Sequence, residues 1–275
     1  MPAIPTLALN DGHRIPQFGL GTWQTPNADA AHIVADAIAA GYRHIDTAAV
    51  YHNEEGVGQG IAASGIGRDQ LFVTTKLWNT HQGYDPALRA LDKSLARLKL
   101  DYVDLYLIHW PCPVQGKAVE SWRALIQARG DGKAKSIGVS NFRAADLERI
   151  IGETGVTPAV NQIELHPWLQ QHALRQIHAQ HSIVTESWSP LAQGGDLLAE
   201  ATLRAIAAKR HKTVAQVVLC WHMQSGLVVF PKSVHLARIR ENLAALDLTL
   251  DADDLAAIAR LDAGKRVGPD PAVFN

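Results

Sequence analysis

Tyr42-Arg43-His44-Ile45-Asp46-Thr47-Ala48-Ala49-Val50-Tyr51-His52-Asn53-Glu54-Glu55-Gly56-Val57-Gly58 is the stretch on which the fold turns. A short extended run, Tyr42 to Ile45, ends on Asp46 and opens into a loop carrying Tyr51. The same design returns twice downstream. Phe72-Val73-Thr74-Thr75 ends on Lys76, and the run from Tyr102 to Ile108 ends on His109. Three apolar strands therefore finish on Asp, Lys and His, with a phenol nearby in sequence. These are proton-handling groups, delivered by a repeating unit.

Outward from that stretch, candidate strands fall at Gln17–Gly21, Tyr42–Asp46, Leu71–Lys76, Tyr102–His109, Ala134–Val139, Ala159–Gln162, Ile183–Trp188 and Leu227–Phe230. Helical periodicity fills the gaps. Leu88, Leu91, Leu95 and Leu98 step by three and four, as do Ala30, Ile33, Val34, Ala37 and Ile38, and again Leu147, Ile150 and Ile151. Short apolar strands covered by helices imply a parallel sheet. Eight strand–helix units point to an α/β protein, a closed (β/α)8 TIM barrel. A doubly wound open sheet is the competing arrangement. Leu7-Ala8-Leu9 and Arg14-Ile15 flank Asn10-Asp11-Gly12-His13, and Asp-Gly between extended runs signals a hairpin. This N-terminal β-hairpin is expected to close the bottom of the barrel. No linker or compositional break interrupts the chain, so residues 1–275 are expected to form a single domain. Past a last helix at Asp251 to Leu261, the tail from Gly264 to Pro271 is expected to run as an extended surface segment.

Composition sets the class. Hydrophobic residues make up 47% of 275, enough for a sizeable core, and the formal net charge of -1 argues against nucleic acid or an anionic membrane as partner. Two cysteines, Cys112 and Cys220, make no disulfide framework and suit a reducing compartment. The start, Met1-Pro2-Ala3-Ile4-Pro5, lacks a basic leader before an apolar block. No apolar run reaches the roughly 18 residues of a spanning helix. A cytoplasmic monomer is expected.

In such a barrel the carboxyl ends of the strands meet on one face, where active sites are built. Those ends read Asp46, Lys76, His109, Ser140-Asn141, Gln162, Trp188-Ser189 and Lys232-Ser233. Singly, each has a plainer reading. Asp46 and Lys76 make a buried ion pair, Tyr51 packs, and His109 is a core histidine. Together they say more. A tyrosine titrates at about 10 in water, and a close ammonium is expected to lower that value. A carboxylate behind the lysine keeps it charged, and a histidine bonds the substrate oxygen. A phenol so tuned delivers a proton to a developing alkoxide.

The chain resembles the aldo-keto reductase family, most of all its bacterial 2,5-diketo-gluconate reductase-like members. The resemblance rests on Gly41-Tyr42-Arg43-His44-Ile45-Asp46-Thr47-Ala48, Thr75-Lys76-Leu77-Trp78-Asn79 and Asp104-Leu105-Tyr106-Leu107-Ile108-His109-Trp110-Pro111. It continues through Ser136-Ile137-Gly138-Val139-Ser140-Asn141-Phe142, Asn161-Gln162-Ile163-Glu164-Leu165-His166-Pro167 and Pro231-Lys232-Ser233-Val234. It implies a reductase of small aldehydes and ketones that uses NADPH, with Asp46, Tyr51, Lys76 and His109 as a catalytic tetrad and Tyr51 as general acid. By the same resemblance Ser140, Asn141 and Gln162 bond the carboxamide and Trp188 stacks the nicotinamide. Ser189, Leu191 and Gln193 lie at the pyrophosphate. Phe230, Glu241 and Asn242 lie near the adenine. Gly21, Thr22, Asp46 and Val234 complete the cofactor contacts, and Trp23, Ala48, Trp78 and Trp110 face the carbonyl substrate.

Some of this stands without the resemblance. Gly19-Leu20-Gly21 lacks a third glycine and Gly56-Val57-Gly58-Gln59-Gly60 has the wrong spacing, so no Rossmann fingerprint is present. Lys232, Ser233 and Arg238, read as the end of the last strand and the start of the following helix, make a cradle for a phosphate monoester; a solvated basic turn is the alternative. Competing chemistries fare worse. A Schiff-base aldolase needs a depressed lysine, which Asp46 opposes. A retaining glycosidase needs a partner for Glu186. None of the thirteen histidines is spaced His-x-His for a metal. A regulatory subunit of the same fold, binding cofactor without turnover, is the remaining alternative.

Overall fold

The computed structural model describes residues 3–275. A hairpin pairs β1 (Thr6–Ala8) with β2 (Arg14–Pro16), Leu7 opposite Ile15. Its turn passes through Gly12 at φ +92°, where a side chain would be strained. Leu9 and Ile15 are buried against Phe72, Val160 and Val228. These three residues open their strands, so the hairpin plugs the amino end of the barrel, as expected.

Eight parallel strands follow in chain order around one sheet: β3 (Leu20–Gly21), β4 (His44–Asp46), β5 (Phe72–Leu77), β6 (Val103–Ile108), β7 (Ala134–Ser140), β8 (Val160–Glu164), β9 (Val184–Trp188) and β10 (Val228–Val229). The ring closes where Phe18 pairs with Val229 and Gly21 with Lys232, both in parallel. Three bonds seal it: Gly19 N donates to the Val229 carbonyl and Val229 N to the Gln17 carbonyl, each at 2.9 Å, and Gly21 N to the Pro231 carbonyl at 3.3 Å. That closure excludes the open sheet.

The end strands are shorter than the sequence implies. Gln17 and Gly19 bond to Val229, so only Leu20–Gly21 keeps the ladder with β4. β10 stops at Val229, two residues before Pro231, which offers no N–H. Lys232 therefore keeps only an isolated bridge to Gly21 past the end of β10, and Ser233 sits in the loop beyond it, a correction to its placement at the end of the strand.

Helices cover the barrel as the periodicity predicts. α1 (Asn27–Ala40) buries Ala30, Ile33, Val34, Ala37 and Ile38. α2 (Glu54–Ala63) follows β4, and α3 (Tyr84–Leu98) buries Leu91, Leu95 and Leu98. α4 (Ala118–Gly130), α5 (Ala144–Thr154) and α6 (His172–Gln180) follow β6, β7 and β8. Two helices, α7 (Ala201–Arg210) and α8 (Val214–Gln224), separate β9 from β10; α9 (Leu236–Leu243) and α10 (Ala252–Ala259) follow it. Truncating a fully buried side chain such as Leu91 costs about 2–5 kcal/mol.

The tail is not the free surface segment that its polar composition suggests. Arg266 Nη1, Val267 N and Gly268 N converge on the buried carboxylate of Glu164 at the end of β8, at 3.0, 2.5 and 3.2 Å. Beyond this clamp Phe274 packs against Trp110 with centroids 4.5 Å apart, and Asn275 Oδ1 accepts from Val114 N at 2.8 Å.

Candidate active site

Asp46 ends β4, and Lys76 stands in β5 with no exposure at all. The register sets Asp46 opposite Thr74, so Lys76, two residues on, projects from the same barrel face. Its ammonium donates to Asp46 Oδ1 at 2.6 Å and to the Thr47 carbonyl at 3.0 Å, and lies 3.5 Å from the Tyr51 hydroxyl. Tyr51 reaches this point on a single 3-10 turn, Ala49–Tyr51. Asn53 pins that turn: its Nδ2 donates to the Thr22 and Thr25 carbonyls, and its Oδ1 accepts from Thr47. Glu54, next in sequence, accepts from Thr75 at 2.6 Å and from Arg97 at 2.7 Å, fixing the start of α2 to β5 and α3.

His109 follows β6 and meets the Tyr51 ring edge-on, centroids 5.8 Å apart. Neither of its ring nitrogens takes a partner among the described residues. Nδ1 is buried, so Nε2 is presented to the cavity. Trp78 packs on the same imidazole at 5.3 Å.

The electrostatics correct one expectation. Burial pushes the Tyr51 phenol above its ordinary value, and Asp46 adds to that; the Lys76 ammonium opposes both without reversing them. The phenol is therefore not acidified in this state, because burial outweighs the lysine's field and Asp46 works against that field too. Burial also works against the charge on Lys76, yet Asp46 and Tyr51 hold it protonated, its value raised. Burial, then Lys76, drives His109 well below the usual histidine range, leaving a neutral imidazole. Burial and then Asp46 raise Glu186 to about 8.

These groups lie on the wall of a cavity of about 1110 Å³. Of the residues singled out in the sequence, Tyr51, Trp78, His109 and Trp110 gather through their ring contacts at one end of it, the inner end. Gly21, Trp23, Asp46, Ser140, Asn141, Gln162, Trp188, Ser189, Leu191, Gln193, Phe230, Lys232, Ser233, Arg238, Glu241 and Asn242 line it as well. Thr22, Ala48 and Val234 do not line it. Thr22 Oγ1 turns back to the Asp46 carbonyl at 3.0 Å, and Ala48 is fully buried. Lys76 is likewise behind the wall, with its ammonium turned towards Tyr51.

The sequence reading missed three features. Gln162 Nε2 donates both to Asp46 Oδ2 at 3.0 Å and to Glu186 Oε2 at 2.9 Å. Trp188 Nε1 donates to Asn141 Oδ1 at 2.8 Å, with Asn141 at φ +65°. Gly268, Pro269 and Phe274 of the tail complete the cavity wall. An aromatic residue near the end of a polar tail was the available signal for the last of these.

The cavity also suits a long anionic ligand. Lys232 and Arg238 have no carboxylate partner among the described residues, and both line it with exposed side chains. Ser189, Ala192, Gln193, Gly194 and Gly195 all have positive φ, the conformations from which backbone anion nests are built.

Comparison with known proteins agrees with this geometry. Residues 16–263 match the sequence profile of the Aldo/keto reductase family. An aldo-keto reductase of Mycobacterium sp. (strain KMS) is 53% identical over 271 residues, 98% of either chain. A methylglyoxal reductase, DkgA, of Yersinia pestis is 53% identical over 276 residues, 100% of this chain and 99% of its own. Among solved structures, a mutant of Gox0644 in complex with NADPH superposes with a TM-score of 0.95 at 49% identity, covering all of both chains. An aldo/keto reductase from Brucella melitensis gives 0.92 at 55% identity, covering 95% of this chain and 99% of that one. By profile, by half-identical relatives and by fold, the chain belongs to the aldo/keto reductase family.

Proposed function

We propose that the protein reduces small aldehydes and ketones to alcohols with NADPH, Tyr51 acting as general acid. The observation that carries this reading is the Tyr51 hydroxyl held 3.5 Å from a buried, Asp46-paired ammonium beside a neutral histidine on the cavity wall. The cavity fits the cofactor on its own features: an indole and two amides, a run of left-handed loop residues, and two exposed cations, all on its wall. NADPH, when bound, supplies hydride to the carbonyl carbon.

The chain's own residues do the rest. Tyr51 gives its proton to the oxygen as negative charge develops there. The phenolate left behind is stabilised by the Lys76 ammonium, which Asp46 keeps charged and aimed. A neutral His109 can donate one N–H to the same oxygen, orienting the carbonyl. At neutral pH the phenol is in its acid form, ready to donate, and the Lys76 ammonium offsets part of the burial that opposes its ionisation.

For substrate, the relatives named as methylglyoxal reductases support small dicarbonyls. Keto-sugar acids and similar small carbonyls fit the same reading. Trp23, Trp78, Trp110 and Phe274 give the cavity aromatic walls. Lys232, Ser233 and Arg238 would hold the 2′-phosphate. The reading further takes residues 1–275 as one domain, working as a cytoplasmic monomer. Both cysteines are free and buried, and no helix of the described residues is long and apolar enough to cross a membrane.

Mixing protein, NADPH and a panel of neutral and acidic carbonyls, and following loss of the reduced nicotinamide's absorbance, tests the proposal. Catalytic decay on at least one carbonyl is expected. A single stoichiometric change without turnover would favour a cofactor-binding regulatory role instead.

A further inference from the structure

Glu186 lies in the interior of the barrel with no exposure, and the mechanism above does not use it. The register of β8 and β9 sets it opposite Gln162. Its outward neighbour Thr185 bonds to His178 on α6 at 2.8 Å, so alternation turns Glu186 inward. Inside, Glu186 Oε2 accepts from Gln162 Nε2 at 2.9 Å, while Oε1 takes no partner.

That contact settles how Gln162 faces the cavity. A primary amide has two N–H donors and one carbonyl acceptor. One N–H is taken by Asp46 Oδ2 at 3.0 Å, and Asp46, engaged with Lys76, can only accept. The second is taken by Glu186. No donor remains, and the cavity sees only Oε1. The neighbouring amide offers no donor either, because both N–H groups of Asn141 are taken, by the His109 carbonyl and Ser140 Oγ, while its Oδ1 accepts from the Trp188 indole. On the cavity wall, Gln162 is thus an acceptor seeking a donor. On the NADPH reading the donor available there is the NH2 of the nicotinamide carboxamide; the inference rests on that reading.

We infer that Glu186 is a positioning residue for the cofactor: by holding the second N–H of Gln162, it presents the Gln162 carbonyl to the carboxamide and so sets the angle of the nicotinamide ring. A carboxyl buried this deeply without a charged partner is costly to keep. A purely structural strand would be better served by an apolar residue at this position.

The test compares wild-type protein, Glu186→Gln and Glu186→Leu for equilibrium binding of NADPH and of its 3-acetylpyridine analogue, in which a methyl ketone replaces the carboxamide and no NH2 remains. Quenching of tryptophan fluorescence reports both affinities. The wild type should prefer NADPH over the analogue by about five- to tenfold, the worth of one net hydrogen bond. Glu186→Gln keeps an acceptor for Gln162 and should keep that preference. Glu186→Leu should reduce it to within about twofold, by weakening NADPH alone. Equal weakening of both dinucleotides in Glu186→Leu, or loss of the preference in Glu186→Gln, would overturn the inference. Because the readout is binding, it decides the role of Glu186 whether or not turnover is seen. Absence of turnover on the carbonyl panel would sink the reductase reading alone, and failure of the wild type to bind either dinucleotide would overturn both.

Discussion

The ammonium of Lys76 stands 3.5 Å from the hydroxyl oxygen of Tyr51, at the outer limit of a hydrogen bond. The same ammonium is only 2.6 Å from Asp46, so in the resting protein the lysine belongs to the carboxylate. Charge developing on a bound carbonyl oxygen would draw the phenolic proton away and give the ammonium a second anion to face. Tyr51→Phe removes the proton and little else. Its kcat should fall at least about 100-fold, the low end for loss of a general acid, while affinity for NADPH changes by less than about threefold. Steady-state kinetics with a fluorescence titration check both, and retained turnover would remove Tyr51 from the mechanism.

Glu186 also makes a stability prediction. Its ordinary value of 4.5 rises to about 8 in the folded protein, through burial first and Asp46 second. Between these values the folded state holds a proton that the unfolded state has released, so stability falls as pH rises from about 4.5 to 8 and then levels off. Each pH unit is worth about 1.4 kcal/mol, so at most about 5 kcal/mol is at stake. Glu186→Gln should match the wild type near pH 4.5 and exceed it at pH 9. Thermal midpoints across that range measure the difference, and parallel curves would show that Glu186 does not titrate this way.

Much of this site was legible in the sequence because apolar strands end abruptly on polar residues. Asp46, Lys76 and His109 each close or follow such a run, and a closed barrel brings those ends together. The acidity of Tyr51 was not legible, since it depends on burial and on a carboxylate that sides against the ammonium. Glu186 could be read as a carboxyl group, but the register that puts it opposite Gln162 exists only in the sheet. The tail was misjudged for a similar reason. Arg266 and Gly268 are ordinary surface residues by type, and only Glu164, about a hundred positions earlier, gives them a destination.

That tail leads to a third prediction. A Cβ on Gly268 would collide with the outer edge of Trp188, with Cζ3 only 2.8 Å away, and would stand 3.3 Å from Glu164 Oε2. Gly268→Ala must therefore shift the indole or lift the tail off Glu164, costing about 1–3 kcal/mol as an overpacked contact does. Because Phe274 rides on the same tail against Trp110, lifting it opens the inner end of the cavity. A raised KM for small carbonyls, a red-shifted tryptophan emission and faster exchange of the Val267 amide should appear together. A variant with wild-type values of all three would show that the tail is not held by this contact.

On the proposed reading, Lys232 and Arg238 would decide which dinucleotide is taken. Arg238 sits in the first turn of α9, where the helix N-terminus favours an anion, and it lacks a carboxylate partner among the described residues. A hydrogen bond from a guanidinium to a phosphate monoester contributes about 1.5–3 kcal/mol, which is about 10- to 150-fold in affinity. Arg238→Ala should weaken NADPH by that factor and leave NADH within about twofold, since NADH carries no 2′-phosphate. Raising the salt concentration should narrow the gap in the wild type and hardly alter it in the variant, because the guanidinium is exposed and its field is screened. Equal losses for the two dinucleotides would move the phosphate site away from Arg238, towards Lys232 and the Ser233 loop.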